Sequence, residues 1–149
     1  MLGLDTNVVV RLVVAEYAGQ TSRARERIDQ ALSRSEPVLV SLLALLESEW
    51  LLRGRFGLGR EALRSIFRAL PEARALSFED EPAREEALFH WTDSACGFSD
   101  GLIAAHNRRM GCRATATIDG KTARLPGTVR AWSSALRTLR RRRSGLTGR

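Results

Sequence analysis

A chain of 149 residues with 44% hydrophobic side chains is one domain's worth and can bury a real core. No uncharged apolar run reaches about 18 residues, so no membrane span is expected. Asp5 and Arg11 break the first apolar stretch with no basic leader before it, which argues against a signal peptide. The net charge of +7 lies wholly in residues 128–149, which carry seven arginines and no acid. The other 127 residues hold 17 basic and 17 acidic side chains, so an argument for nucleic-acid binding from overall charge rests on the tail. Cys96 and Cys112 lack the paired spacing of a zinc site or a disulfide framework and read as reduced thiols of a cytoplasmic protein.

Met1 to Leu4 reads as a short buried strand. Asp5-Thr6-Asn7 then offers a cap for a helix beginning near Asn7. Gly19 to Ser22 reads as a break, with Thr21 or Ser22 capping a helix to about Ser33. Val38-Leu39-Val40 is a second strand. Ser41 is a candidate N-cap for a helix from Leu42 to about Arg53, apolar nearly all round and therefore buried. Gly59 to Leu70 is helical, Ala73 to Phe78 a third strand, and Asp80 to Trp91 a helix with Pro82 in its first turn. Cys96 to Ser99 reads as a loop, and Asp100 to Met110 as a helix closed by Gly111. Ala114 to Ile118 is a fourth strand and Thr128 to Trp132 a candidate fifth. Strands alternating with helices predict an α/β fold, a parallel sheet covered on both faces. Residues 133–149 lack an apolar pattern, and Arg140 to Arg143 is a like-charge run.

Four acids sit where chemistry would need them: Asp5 and Asp119 at strand ends, Asp100 at a helix start, and Glu47 within the leucine-rich helix. Sites in open α/β sheets form beyond the C-terminal strand ends. A strand order placing the first and fourth strands side by side would bring Asp5 and Asp119 to one ion, and a helix N-terminus at Asp100 favours nearby negative charge. Leu43, Leu46, Glu47 and Trp50 fall at helical spacing, which puts Glu47 in an apolar stripe where an ionised carboxylate is costly unless paired or metal-bound. Spacing alone does not choose between Glu47 and Glu49.

Oxygen donors without metal-spaced histidine or cysteine suit Mg²⁺ or Mn²⁺. The matching reaction is phosphodiester hydrolysis, with the metal acidifying water and offsetting transition-state charge. Each residue also has a plainer role open to it. Asp5, Thr6, Asn7 and Asp100 would serve as helix caps, Asp119 as part of an Asp-Gly turn, and Glu47 as the partner of Arg53 or Arg11. His90 and His106 read as surface or satisfied histidines. Trp50, Trp91 and Trp132 read as core or interface residues.

The ordered segments Gly3-Leu4-Asp5-Thr6-Asn7-Val8, Leu45-Leu46-Glu47-Ser48-Glu49-Trp50-Leu51-Leu52-Arg53, Phe98-Ser99-Asp100-Gly101-Leu102-Ile103-Ala104 and Thr117-Ile118-Asp119 with Leu125-Pro126-Gly127 resemble PIN-domain ribonucleases, specifically VapC-type toxins of bacterial toxin–antitoxin pairs. The resemblance covers about residues 1–132 as the nuclease domain, leaving 133–149 as a basic tail. It implies a three-layer α/β/α sandwich around a mainly parallel sheet of four to five strands. It also implies a Mg²⁺- or Mn²⁺-dependent endoribonuclease acting on tRNA or rRNA. Asp5, Glu47, Asp100 and Asp119 would be ligands, with Glu47 favoured over Glu49, and Thr6, Asn7 and Thr117 would support them. A homodimer and a small inhibitory antitoxin are implied as well. Gly97 stands where relatives often carry another acid, and Ile118 replaces a common Phe. Arg53, Arg55, Arg140 and Arg141 are candidate contacts to the RNA backbone. The tail would otherwise be an extra antitoxin contact or an appendage.

The rivals are a catalytically weak RNA-binding module of the same fold, and a metal-dependent DNA nuclease or phosphatase. A phosphorylation-receiver domain is disfavoured, because the one lysine, Lys121, lies two residues after Asp119.

Overall fold

The computed structural model describes residues 1–14, 18–74 and 76–131, without the side chains of 18, 20, 73 and 74. Trp132 and the basic tail, with Arg140 and Arg141, lie outside the described residues. The chain alternates β1 (Leu2–Leu4), α1 (Thr6–Val13), α2 (Ala18–Ser33), β2 (Val38–Val40), α3 (Leu42–Gly54), α4 (Arg60–Arg74), β3 (Leu76–Phe78), α5 (Glu81–Asp93), α6 (Phe98–Arg109), β4 (Thr115–Thr117) and β5 (Thr128–Arg130). A mixed α/β fold with parallel strands is therefore what forms.

The strands make two sheets rather than one of four to five strands. β1, β2 and β3 pair in parallel in that order, with Leu2 opposite Val38 and Val38 opposite Leu76. β4 and β5 pair with each other, Thr115 opposite Thr128. The difference has a compositional cause. Val38 and Val40 are fully buried, whereas Thr115-Ala116-Thr117 has no large apolar side chain to seat beside β1. β4 is instead tied to α6, where the Asn107 side-chain amide donates to the Thr115 hydroxyl at 3.1 Å.

Ile28, Val38, Val40, Leu45, Leu52, Leu63 and Phe67 fill the core. Phe98 stands 5.0 Å from Phe67 and 5.4 Å from Trp91, ring centre to ring centre, so the start of α6 is anchored by aromatic packing. Among the described residues no helix is long and apolar enough to cross a membrane.

Several boundaries differ from those expected. α2 begins at Ala18, so Gly19 to Ser22 is helix rather than a break. The Thr21 hydroxyl donates to the Arg11 carbonyl at 3.2 Å instead of capping α2. α4 runs past Leu70 through Pro71 to Arg74, and β3 starts only at Leu76. Proline removes the hydrogen bond to the carbonyl four residues back, here that of Phe67. The Arg84 guanidinium donates to that carbonyl at 2.9 Å, so the helix continues without an orphaned acceptor. α6 starts at Phe98 with Gly97 as its N-cap, two residues earlier than a helix opened by Asp100.

Candidate active site

Parallel pairing puts the C-terminal ends of β1, β2 and β3 on one edge, followed by Asp5, Ser41 and Glu79-Asp80. Ser41 behaves as expected, its hydroxyl accepting the Ala44 N–H at 3.2 Å. Glu79 closes the same helix end by accepting the Leu42 N–H at 2.8 Å.

Asp5 is the N-cap of α1 by its backbone, but its carboxylate caps nothing. Its carbonyl accepts the Val8 and Val9 N–H groups, while its exposed carboxylate meets only the Asn7 side-chain amide, at 3.4 Å, among the described residues. The carboxylate thus lies at the positive end of α1 with lone pairs uncommitted. Thr6, next in sequence, is buried, and its hydroxyl donates to Glu47 Oε2 at 2.6 Å. That bond joins the end of β1 to the middle of α3.

Glu47 does not lie on a buried stripe. Leu43 is 78% and Trp50 63% exposed, so Glu47 stands on the outward face of α3. The buried glutamate is Glu49, on the stripe of Leu42, Leu45 and Leu52, at 2% exposure. Its Oε2 accepts the Ser99 hydroxyl at 2.9 Å, and its Oε1 lies 3.5 Å from Arg53 Nε. Among the described residues no hydrogen bond or ion pair joins Glu47 to Arg53, which instead lies near Glu49.

Asp100 is the third residue of α6 and is half-buried. Its Oδ2 accepts the Gly97 N–H at 3.3 Å, one half of a capping box. A Cβ on residue 97 would come within 3.1 Å of that same oxygen, so glycine leaves Asp100 its place. Gly101 packs on Ala87 of α5, where a Cβ would meet the Ala87 Cα at 3.4 Å.

Asp119 is held differently. Its Oδ2 accepts the Thr122 hydroxyl at 2.7 Å and the Thr122 N–H at 3.0 Å, and its own N–H donates to the Thr117 hydroxyl at 3.1 Å. The Thr122 hydroxyl and N–H, with the Lys121 N–H, hold its carboxyl below the usual carboxylate range. Because β4 pairs with β5 and not with β1, no strand ladder carries Asp119 to Asp5. Among the described residues no hydrogen bond joins it to Asp5, Glu47 or Asp100. The Thr117 hydroxyl therefore lies next to Asp119.

One cluster was not anticipated. Asp80, read only as a helix start, accepts from His106 Nδ1 at 2.8 Å, from Arg109 Nε at 2.5 Å and from the Ala83 N–H at 3.3 Å. Burial pushes its carboxyl up, but these three donors together hold it below the usual range. Asp80 before Pro82 signalled the cap; nothing signalled the two partners on α6. His90 lies 3.6 Å from Glu86, so both histidines have acidic neighbours.

Three carboxylates therefore stand around α3: Asp5 beside the Thr6 that touches Glu47, Glu47 itself, and Asp100 beside the Ser99 that touches Glu49. As donors they suit a hard divalent ion. Among the described residues no three His, Cys, Asp or Glu side chains stand close enough together to hold an ion. The fit is thus one of donor chemistry: Asp5 and Glu47 are exposed and Asp100 half-buried, so none of the three is locked in the core. Arg55 lines a cleft with Asn7, Arg11, Leu51 and Phe56 on the flank of Asp5. Arg53 is shared with Glu49 and is 57% exposed.

The model of the PIN domain family matches residues 3–127. No curated protein and no solved structure gives a significant match.

Proposed function

The chain belongs to the PIN domain family, generally a metal-dependent nuclease fold, and on that premise we propose that it is a VapC-type toxin, an endoribonuclease using Mg²⁺ or Mn²⁺ to cut tRNA or rRNA. The observation that supports this reading is the Thr6–Glu47 hydrogen bond, which ties Glu47 of α3 to the residue that follows Asp5. Asp5, Glu47 and Asp100 would hold the ion, and Asp119 would join them from its turn. The bound ion would supply positive charge and Lewis acidity at a phosphodiester.

The chain's own groups do the rest. Thr6 occupies one lone pair of Glu47 and so limits its rotation. The Gly97 N–H does the same for Asp100. Asn7 and Thr117 flank Asp5 and Asp119. Arg55, exposed at the cleft beside Asn7, suits a phosphate of the RNA backbone. Arg53 adds charge at the same helix end, and Arg140 and Arg141 would extend the contact from the tail.

A homodimer and a small antitoxin complete the reading. Their support is an apolar groove of about 250 Å³ between α3 and α6, lined by Leu43, Leu46, Leu102 and Ile103. Leu43 at 78% and Ile103 at 45% exposure leave unburied apolar area there. A cytoplasmic location belongs to the same proposal.

The test is cleavage of a pool of total tRNA and rRNA by purified, antitoxin-free protein with Mg²⁺, Mn²⁺ or chelator. Discrete fragments that need metal support the nuclease. RNA binding without cleavage would favour the RNA-binding module, and cleavage of DNA instead would favour the other rival.

A further inference from the structure

Glu49 is a buried ionisable side chain to which the proposed site gives no role. Glu49 is 2% exposed and shares its stripe with Leu42, Leu45 and Leu52, where an apolar residue would fit at lower cost. Its ion pair with Arg53 is long, at 3.5 Å, and Arg53 is 57% exposed, so that contact contributes little. The contact that joins two elements is the 2.9 Å bond from the Ser99 hydroxyl, across 50 positions of sequence. Ser99 immediately precedes Asp100, and Glu49 follows Glu47 by two residues.

We propose that Glu49 is a positioning residue: by latching Ser99 it fixes the first turn of α6 against α3 and so sets Asp100 relative to Glu47. The inference rests on the reading of Glu47 and Asp100 as metal ligands. Thr6 does the same work on the other side, fixing the end of β1 against Glu47. The two hydroxyl–carboxylate bonds thus bracket α3 and bring three separate elements to one place. Partners behind a ligand orient it, and their loss lowers metal affinity without removing a ligand.

The experiment measures Mn²⁺ affinity by calorimetry on the full chain, with thermal melting in chelator as the control for folding. Glu49→Leu fills the stripe and removes the acceptor. Ser99→Ala removes the donor at a half-buried position and serves if the first variant fails to fold. Each is expected to weaken Mn²⁺ binding about tenfold, and the double variant no more than either alone. Glu49→Gln and Ser99→Thr, which keep an acceptor and a donor, should bind as the wild type does. Wild-type Mn²⁺ affinity in Glu49→Leu and Ser99→Ala, beside loss of binding in Asp100→Asn, would show that Glu49 serves packing only. Wild-type affinity in Asp100→Asn would overturn the metal-centre reading and the inference with it.

Discussion

Thr6 donates its hydroxyl to Glu47 at 2.6 Å across 41 positions of sequence, and the donor is buried while the acceptor is exposed. The geometry fixes an outward-facing carboxylate from behind. Thr6→Val keeps the shape and removes the donor. It should cost about 1 kcal/mol of stability yet lower metal-dependent cleavage about tenfold or more. Unfolding curves and cleavage rates on the same sample would check it, and a rate that falls no further than the folded fraction would contradict it.

The two glutamates of α3 should separate cleanly. Glu47→Gln changes an exposed side chain and should leave stability within about 0.5 kcal/mol, while cleavage is lost. Glu49→Ala opens a hole in the core and leaves Ser99 without its acceptor, at a cost of about 2–3 kcal/mol. Chemical denaturation of both variants would show whether the buried and exposed roles are assigned correctly.

Asp80 carries a pH dependence. Its folded carboxyl lies below the ordinary value of 3.8 because His106, the Ala83 N–H and Arg109 together outweigh burial. A carboxyl depressed on folding contributes stability that is full above its unfolded value and is lost as pH falls through the folded one. The wild type should therefore lose stability relative to Asp80→Asn as pH drops from about 5 to about 3. Melting temperatures across that range would check it; parallel curves for the two proteins would count against the cluster.

Gly97 makes room for the Asp100 carboxylate. Gly97→Ala places a methyl group 3.1 Å from Asp100 Oδ2, at a backbone geometry that alanine adopts freely. Stability should change by less than about 1 kcal/mol, while cleavage falls because Asp100 must turn away. An unchanged rate would mean that Asp100 relaxes without cost.

The placement of these acids on their elements is legible in the sequence, for physical reasons. Asp5 was placed at a strand end because a polar triplet follows an apolar run. Asp100 is tied to a helix start because Cys96 to Ser99 reads as a loop, although Phe98 and Ser99 already belong to the helix. Glu47 is favoured over Glu49 by the family resemblance alone, and its expected place on a buried stripe is what the structure overturns. When a helix is apolar on both sides, periodicity does not say which stripe faces inward. Leu43, Leu46 and Trp50 spell an apolar face as well as Leu42, Leu45 and Leu52 do.

What stayed hidden depends on contacts between distant elements. The Ser99–Glu49 bond and the gathering of His106 and Arg109 on Asp80 span 50, 26 and 29 positions. Local patterns carry no record of such pairs. The same holds for Arg84, which satisfies the Phe67 carbonyl freed by Pro71 and so lets α4 run past the expected stop. The separate β4–β5 sheet was missed because three-residue strands of Thr and Ala state their direction but not their neighbour.

Asp5, Glu47 and Asp100 are proposed to converge on one divalent ion. A crystal of the protein soaked in Mn²⁺, with the ion located by its anomalous scattering, tests this. A Mn²⁺ peak is expected within coordination distance, about 2.0–2.2 Å, of carboxylate oxygens of all three residues. A peak held by other residues, or none at saturating Mn²⁺ in an ordered site, would contradict it.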